Sequence, residues 1–134
     1  MTMLKKYIVI TSIALAFLLG GLLVFNVLIP KTNISAENAS LFYVYDDIEI
    51  NEQLSLEESV LLKTMFNNKR LYPDNPSCGF TENVSIRFDD LVFCIACDGC
   101  EIIEFENKYF KISKSDRETV NRIFEKYGGL FPCI

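Results

Sequence analysis

Leu91-Val-Phe-Cys-Ile-Ala-Cys-Asp-Gly-Cys-Glu-Ile-Ile-Glu-Phe-Glu-Asn-Lys-Tyr-Phe-Lys-Ile112 combines the strongest strand pattern of the chain with three of its five cysteines. Asp98-Gly99 is a dipeptide that tolerates positive φ, so a two-residue turn there joins antiparallel strands over 91–97 and 100–106. In that register Cys97 faces Cys100, Ile95 faces Ile102, Cys94 faces Ile103 and Val92 faces Phe105. A second turn at Asn107-Lys108 pairs Phe105 with Phe110, Glu104 with Lys111 and Ile103 with Ile112. Aromatic, ionic and aliphatic pairs then match together. The predicted product is a three-stranded meander whose apolar face holds Val92, Cys94, Ile103, Phe105, Phe110 and Ile112.

Elements on either side extend the sheet and cover it. Residues 41–45 alternate and read as a strand that resumes at 48–50 beyond Asp46-Asp47, and Val84, Ile86 and Phe88 share one face of another strand before an Asp89-Asp90 turn. Ser55 and Glu58 form a capping box, because each side chain can satisfy the other residue's unbonded backbone N–H. The helix they open carries Leu61, Leu62, Met65 and Phe66 and ends near Asn67-Asn68, ahead of the turn-rich Tyr72–Pro76 loop. Ser115 and Glu118 make a second such box, followed by Val120, Ile123, Phe124 and Tyr127 at helical spacing and by Gly128-Gly129 as terminator. The closing Leu130-Phe-Pro-Cys-Ile134 is apolar and should pack on the body.

Before this body lies a different kind of sequence. Tyr7 to Ile29 is a run of 23 uncharged, largely apolar residues, roughly 34 Å as a helix against about 30 Å of bilayer hydrocarbon. A cleaved signal has an apolar region of about 7–15 residues and a small-residue cleavage motif, neither of which fits Val27 to Pro30 well. The run therefore reads as an uncleaved single-pass anchor, with a signal sequence as the alternative. Lys5 and Lys6 precede it, which places residues 1–6 in the cytoplasm and the body outside. Ser12, Ala16 and Gly20 lie on one helix face and offer weak homodimer contacts through the anchor. Residues 30–40 are polar and read as a tether, leaving 41–134 as an extracytoplasmic domain. Asn33, Asn38 and Asn83 each begin an N-x-[ST] acceptor pattern. The whole reads as α+β: an N-terminal transmembrane helix, then a small two-layer domain with an antiparallel meander and two helices.

Composition narrows the chemistry. The chain has no histidine, which removes the His-dependent nucleophile systems, the H-E-x-x-H zinc site and any imidazole proton shuttle. Its charge is −5 overall, and +2 of that belongs to residues 1–30, so the remainder carries −7 and repels phosphate backbones. Nucleic acid is not an expected partner. The cysteines carry three readings. As staples, Cys78 and Cys133 lie outside the meander and pair with each other, while Cys97 and Cys100 are further disulfide candidates and an odd thiol remains. As a metal centre for zinc or an iron–sulfur cluster, Cys94, Cys97 and Cys100 would be joined by Cys133 or Cys78. The C-x2-C-x2-C run is similar to the opening of the bacterial ferredoxin motif, but Glu101-Ile-Ile-Glu104 stands where a further cysteine is needed. As a thiol-redox pair, Cys94/Cys97 or Cys97/Cys100 lack a following helix, and Asp98 and Glu101 would raise their pKa values. The expectation is a non-enzymatic module without cofactor, held by disulfides, that binds a protein partner at the cell surface or envelope.

Overall fold

A computed structural model describes residues 2–74 and 76–133; Asn75 of the Tyr72–Pro76 loop and Ile134 of the apolar tail lie outside the described residues. The chain forms two compact units, Met1–Pro30 and Lys31–Ile134. The first is helix α1, Met3–Leu28, whose 26 residues span about 39 Å and whose most apolar part has a mean hydropathy of 2.7. Two of its hydroxyls bond back to the helix: Thr11 Oγ1 donates to Tyr7 O at 2.9 Å and Ser12 Oγ to Ile8 O at 2.8 Å.

Among its described residues the second unit holds strands β1 (Ser40–Tyr45), β2 (Ile48–Gln53), β3 (Val84–Phe88), β4 (Leu91–Ile95), β5 (Ile102–Phe105) and β6 (Lys108–Lys111). Helix α2 (Leu56–Phe66) follows β2, and α3 (Lys114–Lys126) follows β6. All six strands form one antiparallel sheet in the order β2-β1-β3-β4-β5-β6. Asp46-Asp47, expected only to interrupt a strand, reverses the chain between β1 and β2, with Asp46 at φ 53°.

Both helices lie on one face of this sheet. Phe66 of α2 contacts Phe93 at 5.3 Å between ring centroids, and Phe93 stacks on Phe105 at 4.6 Å. Phe124 of α3 meets Tyr43 at 6.0 Å and Phe131 of the tail at 5.2 Å. Burying each such ring contributes roughly 1.5–3 kcal/mol. The α2 capping box is present as expected, since Ser55 Oγ accepts from Glu58 N and Glu58 Oε2 accepts from Ser55 N. The inner face of α2 uses Ser59, Leu62, Met65 and Phe66, whereas Leu61, expected there, is exposed. Helix α3 starts earlier than expected: its N-cap is Ser113, which accepts from Asp116 N, and not Ser115.

The two meander turns differ from expectation in instructive ways. The β5–β6 turn is Glu106-Asn107, both at positive φ, so Ile103 faces Phe110 and Phe105 faces Lys108. That is a shift of two residues, which keeps Ile103, Phe105 and Phe110 on the core face. Between β4 and β5 the ladder instead opens over residues 96–101, and Cys94 faces Glu104 while Ile95 faces Ile103. This is a shift of one, and it exchanges the faces. Phe93 and Ile95 enter the core, and Val92 and Cys94 point away from the helices.

Residues 31–39 are not a free tether. Thr32 is buried, with Oγ1 donating to Phe66 O at 2.6 Å and accepting from Lys69 N at 2.8 Å. Ala39 N donates to the buried Ser59 Oγ at 2.9 Å. The folded body therefore begins at Lys31, which bridges to Arg70.

Candidate functional site

The cysteines converge on the loop between β4 and β5, where Cys97 bonds Cys133 and Cys100 bonds Cys78. The expected Cys78–Cys133 pairing is replaced. The reason is that the tail after α3 returns beneath the loop, where Cys133 N donates to Cys97 O at 3.1 Å, while Cys78 lies next to Cys100. Cys94 keeps a free thiol, but it sits on β4 facing away from the core cluster. The quartet Cys94, Cys97, Cys100 and Cys133 is thus not gathered around one point. Donor atoms of Cys78, Asp98 and Cys100 do lie within 4.8 Å of one another, yet the two sulfurs are bonded together and offer no thiolate for zinc.

What holds this loop is a residue that pattern reading missed. Arg117 on α3 is 3% exposed and donates to Ala96 O at 2.6 Å, to Cys100 O at 2.9 Å and to Asn121 Oδ1 at 2.8 Å. Its guanidinium lies 5.0 Å from the Phe131 ring centroid. Burial lowers its pKa to about 10 against the raising effect of Asp98, so it stays charged at neutral pH. A rigid five-donor fork suits this task, because it meets two carbonyls of a loop that has left the sheet ladder. Within the loop, Asp98 Oδ1 accepts from Cys100 N at 3.0 Å and Gly99 takes φ 82°.

Neither α2 nor α3 covers the opposite face of the sheet. Segment 78–83, fixed at one end by the Cys78–Cys100 bond, crosses it: Phe80 packs on Tyr109 at 5.5 Å, and Glu82 O accepts from Ser85 Oγ at 2.8 Å. Beside this strap opens a cavity of about 230 Å3 lined by Glu82, Asp90, Val92, Cys94, Glu104 and Glu106. Burial first, and then Glu82, raise the Glu104 carboxyl above its ordinary value. Cys94 is 4% exposed, and burial followed by Glu104 and Glu82 pushes its thiol up to about 12, with Arg87 opposing. Such a thiol stays protonated and is a poor nucleophile at neutral pH. Farther along the same face, Ser40, Gln53, Arg87 and Asp89 line an open cavity of about 520 Å3. Arg87 is stacked 4.2 Å from the Phe42 centroid.

Comparison with protein-family profiles, curated proteins and solved structures finds no match. Function must therefore be argued from the molecule itself. It holds a sheet face that neither α2 nor α3 covers, with an acidic hollow, a polar hollow built around Arg87, and a loop fixed by two disulfides and a buried guanidinium.

Proposed function

We propose that this chain is a single-pass membrane protein whose body lies outside the cytoplasm and acts as a non-enzymatic module that binds a protein partner at the cell surface or envelope. The observation that carries the reading is the pairing of four cysteines in two disulfides within the unit that follows a long apolar helix. Disulfides persist in oxidising compartments, and small domains there depend on them. The length of α1, its exposed apolar side chains and Lys5 and Lys6 near its start support an anchor with a cytoplasmic N-terminus. The sheet face left uncovered by α2 and α3 and its two cavities support binding, while the absence of histidine in the sequence and the raised Cys94 thiol argue against nucleophilic catalysis.

The test is topological. An impermeant maleimide applied to intact cells should label Glu118→Cys, on the exposed side of α3, and should reach Thr2→Cys only after permeabilisation. Labelling of Thr2→Cys alone on intact cells would invert the orientation and remove the extracytoplasmic reading. A thiol-redox or metal centre, the competing reading, draws on the closeness of Cys78, Cys100 and Asp98. Its metal form requires stoichiometric zinc on the chain after mild reduction, read by native mass spectrometry, and its redox form an exposed thiol pair that titrates with mild reductant.

A further inference from the structure

The two edges of the sheet are treated differently. At the β6 edge, Tyr72 closes the ladder: its N–H donates to Tyr109 O at 2.9 Å and its carbonyl accepts from Tyr109 N at 2.8 Å. At the other edge stands β2, six residues long, with no strand beyond it among the described residues. The direction of its backbone groups follows from its neighbours. Val44 N donates toward Asn83 on the β3 side, so Leu41, Tyr43 and Tyr45 of β1 turn their backbone groups toward β2. Their partners Glu52, Ile50 and Ile48 are thereby used, and Leu54 N donating to Ala39 O continues the same alternation. Glu49, Asn51 and Gln53 are left with N–H and C=O groups directed away from the sheet.

Exposed edges of this kind are templates for another strand, and proteins usually block them with proline, bulges, lysine or a covering element. Here β2 has no proline and no lysine, and its charged residues are Glu49 and Glu52, which deter an acidic strand but not a basic one. Its flanking chemistry is graded by face. Ile48 and Ile50 lie on the side of the helices, Ile50 buried and Ile48 half-buried, while Glu49 stands exposed on the other side. Glu52 is exposed on the Ile48 and Ile50 side, and the turn residues Asp46 and Asp47 add exposed acid at the start of the strand. A second copy would bring the same acids, on a body of charge −7, against one another.

We propose that the β2 edge takes up an extended segment of a partner protein in which basic residues alternate with apolar ones, added as a seventh strand. The apolar positions would extend the surface of Ile48 and Ile50, and the basic ones would face Glu49 beside the acidic Asp46-Asp47 turn. Main-chain hydrogen bonds to Glu49, Asn51 and Gln53 supply the docking, and side-chain alternation supplies the selectivity. The inference rests on the reading of the body as a binding module. That reading fails separately, if photo-crosslinkers spread over the body capture no protein in cells.

The experiment uses the full chain in neutral-lipid nanodiscs with two labelled heptapeptides, one alternating lysine with valine and one alternating glutamate with valine. By fluorescence anisotropy the lysine peptide should bind at least about tenfold more tightly, from the cross-strand pair with Glu49 together with the field of the acidic turn and body. Amide exchange at Glu49, Asn51 and Gln53 should slow on its addition. Asn51→Pro removes an outward N–H without touching the ladder to β1 and should weaken the lysine peptide at least about tenfold. The pair Glu49→Lys and Glu52→Lys should reverse the preference toward the glutamate peptide, which keeps the test decisive if the proline variant fails to melt cooperatively. Equal binding of both peptides to the parent and to these variants, or protection arising at β6 instead, would overturn the proposal. So would concentration-dependent dimerisation of the parent that Asn51→Pro abolishes, since it would assign the edge to a second copy.

Discussion

Replacing Arg117 with alanine removes the one side chain that joins α3 to both ends of the β4–β5 loop. The loss can be worked from its contacts. Two charge-assisted bonds to the carbonyls of Ala96 and Cys100 disappear, and bonds of that kind contribute about 1.5–3 kcal/mol each. Ala96 is buried, so its carbonyl stays unsatisfied, whereas the half-buried Cys100 recovers water and returns part of its share. The net destabilisation should be about 3–4 kcal/mol, a large fraction of the 5–15 kcal/mol that holds a domain of this size. At about 4–8 °C per kcal/mol, the melting temperature should fall by more than about 12 °C. Arg117→Lys should recover only part of this, because one ammonium cannot span two carbonyls in fixed fork geometry. The assay is near-ultraviolet circular dichroism of the full chain in detergent under non-reducing conditions, with the exposed Arg122→Ala as control. Melting of Arg117→Ala within about 2 °C of the parent would refute the assignment of Arg117 as the clamp of this loop.

Further expectations follow from the staples and the acids. The Cys97–Cys133 and Cys78–Cys100 bonds close segments of 36 and 22 residues, so removing either should cost roughly 3–4 kcal/mol in the chain-entropy model, read from denaturant melts of Cys97→Ser and Cys78→Ser. Burial would raise Glu58, but hydrogen bonds from Lys126, Tyr127 and Ser55 outweigh it and hold the carboxyl at about 2. Its folded value is therefore depressed, so its stabilising share is present above the ordinary carboxylate range near 4.5 and is lost as pH falls toward 2. Glu58→Gln should flatten the acid limb of the stability profile over that window. Glu104 has the opposite sign: its raised value costs stability when it is ionised, so Glu104→Gln should melt higher at pH 7 and lose that advantage in acid.

The parts of the fold that could be read from sequence are those fixed by neighbours in the chain. The Ser55–Glu58 box, the Val84–Phe88 strand and the Asp89-Asp90 turn all depend on residues within a few positions of one another. The β4–β5 register could not be read locally, because residues 96–101 leave the ladder to meet Arg117, Cys78 and Cys133, which are remote in sequence. One correcting signal was present. An Asp89-Asp90 turn places Ile86 opposite Phe93, and that pairing puts Phe93 in the core and Cys94 outside. The β5–β6 turn was displaced because Glu106 accepts positive φ, which no turn preference marks. Residues 31–39 looked like a tether because Asn33, Ser35 and Glu37 are polar and exposed, yet Thr32 and Ile34 alternate with them and are buried. Arg117 was hidden for a different reason: an arginine in an otherwise polar helical turn looks solvated until the loop it clamps is known. The β2 edge and the sheet face opposite α2 and α3, where recognition is proposed, emerge only from strand order.

The most direct test of the central claim, an oxidised and doubly stapled body behind an apolar helix, is disulfide mapping of the full chain extracted from membranes with thiols blocked at the moment of lysis. The expected result is Cys78 linked to Cys100, Cys97 linked to Cys133, and Cys94 alkylated only after denaturation. A Cys78–Cys133 link would contradict the architecture of the loop, and five thiols alkylated without reductant would contradict both that architecture and the compartment proposed for the body.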